Sequence, residues 1–169
     1  MPVASIRRAP FAALTSRELH DMLQLRSSVF VVEQACPYPD IDGRDPGALH
    51  LIATDDRGTI VGCARCLDPE MAPDAAGEAA GSASFGRLAV APSHRGTGLG
   101  RALVAESLAV LAERWPDHDV VIGAQLYLER FYGSFGFGRM SPAYDDFGIP
   151  HIDMRLIRRV HRESPVMPK

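Results

Sequence analysis

Arg95-Gly96-Thr97-Gly98-Leu99-Gly100 is the segment of this chain whose residue types and spacing speak most directly to chemistry. It follows a short apolar run, Phe85 to Val90, that Pro92 and Ser93 end. It leads into apolar residues at Leu99, Ala102, Leu103, Leu108 and Leu111, a helical spacing. A strand, a glycine-rich turn and a helix start together make an anion site. Glycines let the backbone come close, and the first amides of a helix have no intrahelical partner. Arg95 and Arg101 add positive charge, so the expected guest is a phosphate or diphosphate. A P-loop needs Lys and then Ser or Thr after its last glycine, but Gly100 is followed by Arg101 and Ala102. The dinucleotide fingerprint needs a glycine where Arg101 stands. What remains is Arg-x-x-Gly-x-Gly at Arg95, Gly98 and Gly100. The alternative is a tight turn whose glycines merely cap a helix.

That pattern resembles the acyl-CoA diphosphate loop of the GNAT acetyltransferase superfamily. Leu128-Glu129-Arg130-Phe131-Tyr132-Gly133-Ser134-Phe135-Gly136-Phe137 resembles the family's second signature, a short helix carrying Phe-Tyr and ending in Gly-Phe. Arg26 to Gln34, Asp42-Gly43-Arg44-Asp45 and Gly148 to Met154 are similar to the ElaA-like branch, so the likeness runs from about residue 10 to 157. It implies an α+β (mixed α/β) GNAT fold: a mostly antiparallel, twisted sheet of six to seven strands, flanked by helices, with splayed central strands. It implies an acetyl-CoA-dependent N-acetyltransferase acting on a primary amine of a small molecule or peptide, with acetyl-CoA as co-substrate and no metal. A homodimer is common in the family.

Carried over residue by residue, the resemblance places acetyl-CoA on Leu88, Ala89, Val90, Arg95, Gly96, Thr97, Gly98, Leu99, Gly100, Arg101 and Phe131. The pantetheine arm would pair like an added strand on Leu88 to Val90. A main-chain N–H near Ala89 or Val90 would meet the thioester oxygen as it gains charge. Tyr132 matches the family's general-acid tyrosine; the plain alternative is a core aromatic. The acceptor would meet Phe30, Glu33, Gln34, Arg87, Gln125 and His151. Many relatives place a carboxylate base on the fourth strand, but Ser82 to Leu88 has none. Glu33 is then the leading residue for substrate binding and proton relay, against a solvated charge at a helix end. His151 has the right intrinsic pKa for a base, against an ordinary strand-start histidine. Arg87 would hold a substrate anion, or else pair with an acid such as Glu33 or Asp42. Two other readings stay open: an acyl-homoserine-lactone-synthase-like acyltransferase, and a sensor that binds acetyl-CoA without turnover.

These residues need elements to carry them. Thr15 to Glu18 reads as a capping box opening a helix with Leu19, Met22, Leu23 and Phe30 on one face, reaching about Val32. Cys36-Pro37-Tyr38-Pro39-Asp40 is a rigid loop. Strands are expected at Val3 to Arg8, Leu49 to Thr54, Thr59 to Leu67, Phe85 to Val90, Val120 to Ala124, Phe137 to Ser141 and His151 to Ile157. Asp55 to Gly58 forms a hairpin turn, and a long helix ends near Arg114. Asp68 to Ser82, rich in Ala, Gly and Pro, reads as a mobile surface loop.

At 169 residues the chain reads as one domain, with a core of about 3–158 and a basic tail over 159–169. A net charge of −3 argues against a nucleic-acid partner, and no apolar run is long enough to span a membrane. Three cysteines do not make a disulfide framework. Cys63-Ala64-Arg65-Cys66 has redox spacing, but an offset of three on a strand points the thiols to opposite faces. With no secretory leader evident, a reducing cytoplasm is expected.

Overall fold

The computed structural model describes residues 4–72 and 81–158. β1 (Ser5–Pro10), β2 (Leu49–Thr54), β3 (Ile60–Leu67) and β4 (Ser84–Val90) form one antiparallel sheet in that order. In a second sheet β8 (Ile149–Leu156) pairs antiparallel with β5 (Val120–Gln125), β6 (Gly138–Arg139) and β7 (Tyr144–Asp146). The helices are α1 (Ser16–Arg26), α2 (Leu99–Arg114) and α3 (Glu129–Gly133). This is the mixed, mostly antiparallel architecture expected, with eight strands among the described residues rather than six or seven.

The extra strand is Tyr144–Asp146, where the sequence suggests a loop. All three residues are exposed, so they leave no hydrophobic alternation to read. They pair with Ile149, Pro150 and His151 around a turn in which Phe147 and Gly148 both have positive φ, 49° and 86°. The strand expected over Phe137 to Ser141 shrinks to Gly138–Arg139. Parts of two expectations, the loop within Asp68 to Ser82 and the basic tail 159–169, lie outside the described residues, as does Val3.

β3 is buried at every position, because α2 packs on one face of the first sheet and α1 on the other. Cys66 belongs to the large cluster with Leu51, Leu103, Val110, Ile122 and Ile152, which runs through both sheets. Cys63 belongs to the smaller cluster with Met22, Val29, Ile52 and Ala89. The CxxC pair is therefore split between two cores. Burial pushes both thiols up to about 12, so neither is a ready thiolate.

The capping box forms as expected. The Thr15 hydroxyl accepts from the Glu18 amide at 3.1 Å, and the Glu18 carboxylate accepts from the Thr15 amide at 2.9 Å. The regular helix stops at Arg26, short of Val32. Ser27–Glu33 continues as a π-helical segment rich in β-branched residues and serine, with the Gln34 amide donating five residues back to Val29 O. α2 runs as expected, from Leu99 to Arg114.

The central strands part almost where they meet. Ala83 bridges Val120 in parallel: the Ala83 amide donates to Asp119 O, and the Val121 amide donates to Ala83 O, both at 2.9 Å. Among the described residues no pairing between them continues beyond that point, so β4 and β5 leave a gap between the sheets.

Candidate functional site

A cavity of about 860 Å³ fills this gap. Its wall collects Phe30, Glu33, Gln34, Arg87, Leu88, Val90, Arg95, Gln125, Phe131, Tyr132 and His151, eleven of the residues singled out from the sequence. Ala89 does not face it, being buried against the α1 cluster. Gly96 to Arg101 lie outside the wall, next in the chain after Arg95. Among the described residues, the non-glycine positions with positive φ are Ala35, Arg87 and Phe147. Arg87 and Phe147 line the cavity, and Ala35 sits between two lining residues, Gln34 and Cys36. Backbone held out of its comfortable region thus gathers around one space.

The β4 edge facing the gap is unpaired. Alternate residues of a strand present N–H and C=O to opposite neighbours. Ala91 donates to Val61 O on β3, and the Ala89 amide is directed at Cys63. Val90 therefore turns its backbone groups to the open side, where its carbonyl accepts from Arg95 Nε at 3.1 Å. Of the two amides the sequence singles out, Ala89 is taken by β3 and Val90 faces the open side, as strand alternation also directs Leu88. The register slips between Cys63↔Ala89 and Arg65↔Gly86, so Arg87 and Leu88 oppose the single residue Ala64 in a β-bulge.

Beyond Val90 the glycine loop is open. Gly96 and Gly98 have φ of 73° and 88°, and an added Cβ at either would meet nothing within 4 Å. The first intrahelical bond of α2 is Ala102 N–H to Gly98 O at 3.0 Å, and neither a side-chain cap nor an acid stands in its first turn. The amides of Leu99, Gly100 and Arg101 are thus free of intrahelical partners. The Leu99 side chain is core, so only its backbone is available. Space and unpaired donors fit the diphosphate of an acyl-CoA.

The two guanidinium groups expected there are engaged elsewhere. Arg95 makes a bidentate pair with Glu33, 2.6 and 2.8 Å. Arg101 lies over the Phe135 ring, 4.6 Å from its centre, and donates to Ser134 Oγ at 3.0 Å. Arg95 also holds the Glu33 carboxyl below its usual range. That makes Glu33 a weaker base than the sequence suggests.

Tyr132 is buried against Phe85, Phe131 and Phe137. Among the described residues its hydroxyl has no hydrogen-bond partner, and burial pushes it up to about 12. It is therefore both a core aromatic and a protonated donor at the cavity wall. His151 Nδ1 lies 2.8 Å from Ile149 O. Because a carbonyl only accepts, Nδ1 is the donor in that bond, and Nε2 faces the cavity side, 3.9 Å from Asp146. Its ring stacks on Tyr144. Gln125 donates to Gln34 at 3.2 Å across the gap.

An ion network underlies the other wall, of which the sequence suggested only the Arg87–Asp42 pair. Arg26, 1 % exposed, pairs with Asp40 and Asp45 at 2.9 and 2.7 Å. Arg65 pairs with Asp42 and Asp45 at 2.7 and 3.2 Å. Arg87 turns to Asp40 and Asp42, at 2.8 and 3.3 Å, and its guanidinium lies over the Tyr38 ring. Of the two roles left open for Arg87, pairing with an acid is the one observed. A lone arginine inside the otherwise apolar run of β3 was the available signal for this network.

The chain matches known proteins along most of its length. Residues 27–158 match the acetyltransferase (GNAT) domain family. Protein ElaA of Escherichia coli K12 is 40% identical over 144 residues, which cover 83% of this chain and 88% of that one. The crystal structure of an acyl-CoA N-acyltransferase from Pseudomonas aeruginosa superposes with a TM-score of 0.81 at 37% identity, covering 92% of this chain and 99% of that one. The AHL synthase LasI superposes with a TM-score of 0.66 at 21% identity, covering 92% and 89%, a likeness of fold alone. Among the described residues no helix is long and apolar enough to cross a membrane.

Proposed function

The chain belongs to the GNAT acetyltransferase family and is an acyl-CoA-dependent acyltransferase; from that premise we propose that it moves an acetyl group from acetyl-CoA to a primary amine of a small molecule or peptide, by direct attack. The carrying observation is continuity: an unpaired strand edge runs from the β4 bulge to a set of unpartnered amides at the start of α2. Bound acetyl-CoA supplies an activated thioester. Leu88 and Val90 would hold its amide-bearing arm as a neighbouring strand would, and the amides of 96–101 would hold its diphosphate.

Tyr132 stands as the hydrogen-bond donor to the departing sulfur. A positioned acid is typically worth about 10²–10⁴ in rate. The proton the amine gives up goes to Nε2 of His151, the ring nitrogen not bonded to Ile149 O, directly or through water. Glu33 is the poorer choice because Arg95 already holds it charged. The remaining wall suits an amine that arrives as an ammonium. Asp146 and Asp153 line the cavity without an arginine partner among the described residues, beside the rings of Tyr144 and Phe147.

Incubation with acetyl-CoA and a panel of polyamines, amino acids, aminoglycosides and peptides, with free thiol followed, tests the reading. Release should depend on a particular amine and fall by about 10²-fold or more in Tyr132→Phe. Tight acetyl-CoA binding with no amine-dependent release would instead mark a sensor. Release only from acyl-carrier-protein donors would mark a synthase-like enzyme.

A further inference from the structure

Arg87 sits where an ordinary residue is uncomfortable. Its φ is 50°, in the left-handed region that side chains other than glycine avoid. Such a conformation persists only when its surroundings hold it. Those surroundings are specific here. The guanidinium Nε and one Nη donate to Asp40 O at 3.2 and 3.0 Å. Nε also lies 2.8 Å from Asp40 Oδ1, and the Nη reaches Asp42 at 3.3 Å. Tyr38 packs its ring against the same group, 5.3 Å away. The carbonyl of Arg87 accepts from the Cys63 thiol behind the strand at 3.6 Å. The partners are themselves fixed, because Arg26 grips Asp40 and Arg65 grips Asp42. The clamp therefore ties the bulge to the buried network beneath the cavity.

The bulge has a consequence for Leu88. That residue has no register partner on β3 and lines the cavity beside Arg87. We infer that Arg87 is a positioning residue: its clamp on Asp40 and Asp42 holds the β4 bulge so that the Leu88 amide points at the oxygen of a bound thioester. No bond forms or breaks at Arg87 itself. Its effect is geometric, since an amide aimed in advance at a developing oxyanion acts without reorganisation, and losing such a donor costs about 10²–10³ in rate. The inference rests on the acetyl-CoA reading above.

The test uses acetyl-CoA carrying ¹³C at the thioester carbonyl, bound to the full chain. A hydrogen bond to that oxygen deshields the carbon, so the bound resonance should lie downfield of the free ligand's in the native protein. Arg87→Gly accepts the positive φ without strain but has no guanidinium. It should move the resonance back toward the free position and lower kcat for amine-dependent thiol release by about 10-fold to 10²-fold. The KM for acetyl-CoA should change less than about threefold, because the strand edge and amide cradle stay in place. Arg87→Lys keeps the charge without the planar fork and should give an intermediate resonance. A native resonance and native kcat in Arg87→Gly would overturn the inference. Should that variant fail to fold, Arg87→Lys decides by the same criterion. Failure of the native protein to bind acetyl-CoA would instead bring down the donor assignment, and this inference with it.

Discussion

The two ends of the cavity are built from different materials. The end proposed for the donor is backbone: an open strand edge, two glycines at positive φ, and the unpaired first amides of α2, all within residues 88–101. The end proposed for the acceptor is side chains from distant segments. It draws on the π-helical segment after α1, the loop 34–47, β3 and the β7–β8 hairpin, joined by Arg26, Arg65 and Arg87 to Asp40, Asp42 and Asp45. Backbone donors serve any ligand with the right phosphate, whereas side chains select. A fold that keeps its donor end in one short motif leaves the acceptor end free to vary without touching the co-substrate.

The sharpest way to break this contrast is Gly98→Glu. At φ 88° with open space around it, the new side chain brings strain and a negative charge to the amide cradle. Affinity for CoA, read by calorimetry, should fall by more than 10²-fold while far-UV circular dichroism stays native. Unchanged affinity would move the diphosphate elsewhere.

Asp45→Ala attacks the other end and should act on stability instead. It strips a partner from Arg26 and Arg65, both almost fully buried. Leaving a buried charge uncompensated costs about 3–5 kcal/mol, readable as a lowered urea midpoint. The same network gives an acid signature. Burial alone would raise the Asp42 and Asp45 carboxyls, but hydrogen bonds and charge from their arginine partners outweigh it and hold both below the usual range. Depressed folded values mean that unfolding takes up protons. The contribution is therefore complete above about pH 4 and lost as pH falls through that range toward the folded values. Native urea midpoints should hold steady down to about pH 4 and drop below that, and Asp45→Ala should flatten that drop.

The smallest effect joins the two ends. Glu33 and Arg95 are both about two-fifths exposed, 43% and 42%, so their pair is worth at most about 1 kcal/mol. Glu33→Gln releases Arg95 toward the diphosphate and should raise CoA affinity by about two- to fivefold with little change in melting temperature. A tenfold loss of affinity would show Glu33 to be part of the donor end.

The legibility of the site follows the same division. Gly98, Gly100 and Tyr132 stood out because the roles proposed for them depend on neighbours close in sequence: a turn, a helix start, a two-residue signature. The strands β2 and β5 and the helix α2 were equally plain, being long apolar or periodic runs. β7 was not, because three exposed polar residues pair only by virtue of the turn beside them. Arg87 was left between two roles for a related reason. It sits in a bulge, and its partners are aspartates more than 40 residues away.

Sequence by itself therefore determined the glycine loop, the aromatic helix behind it and the order of the main elements, since each is specified by contacts between near neighbours in the chain. Only the tertiary structure decided that Arg95 and Arg101 turn from the loop to Glu33 and Ser134, that Ala89 belongs to β3 rather than to the cavity, and that three arginines and three aspartates knit the acceptor wall. Those are contacts between segments that meet only once the sheets are assembled, and charge has no periodicity along a chain to announce its partner.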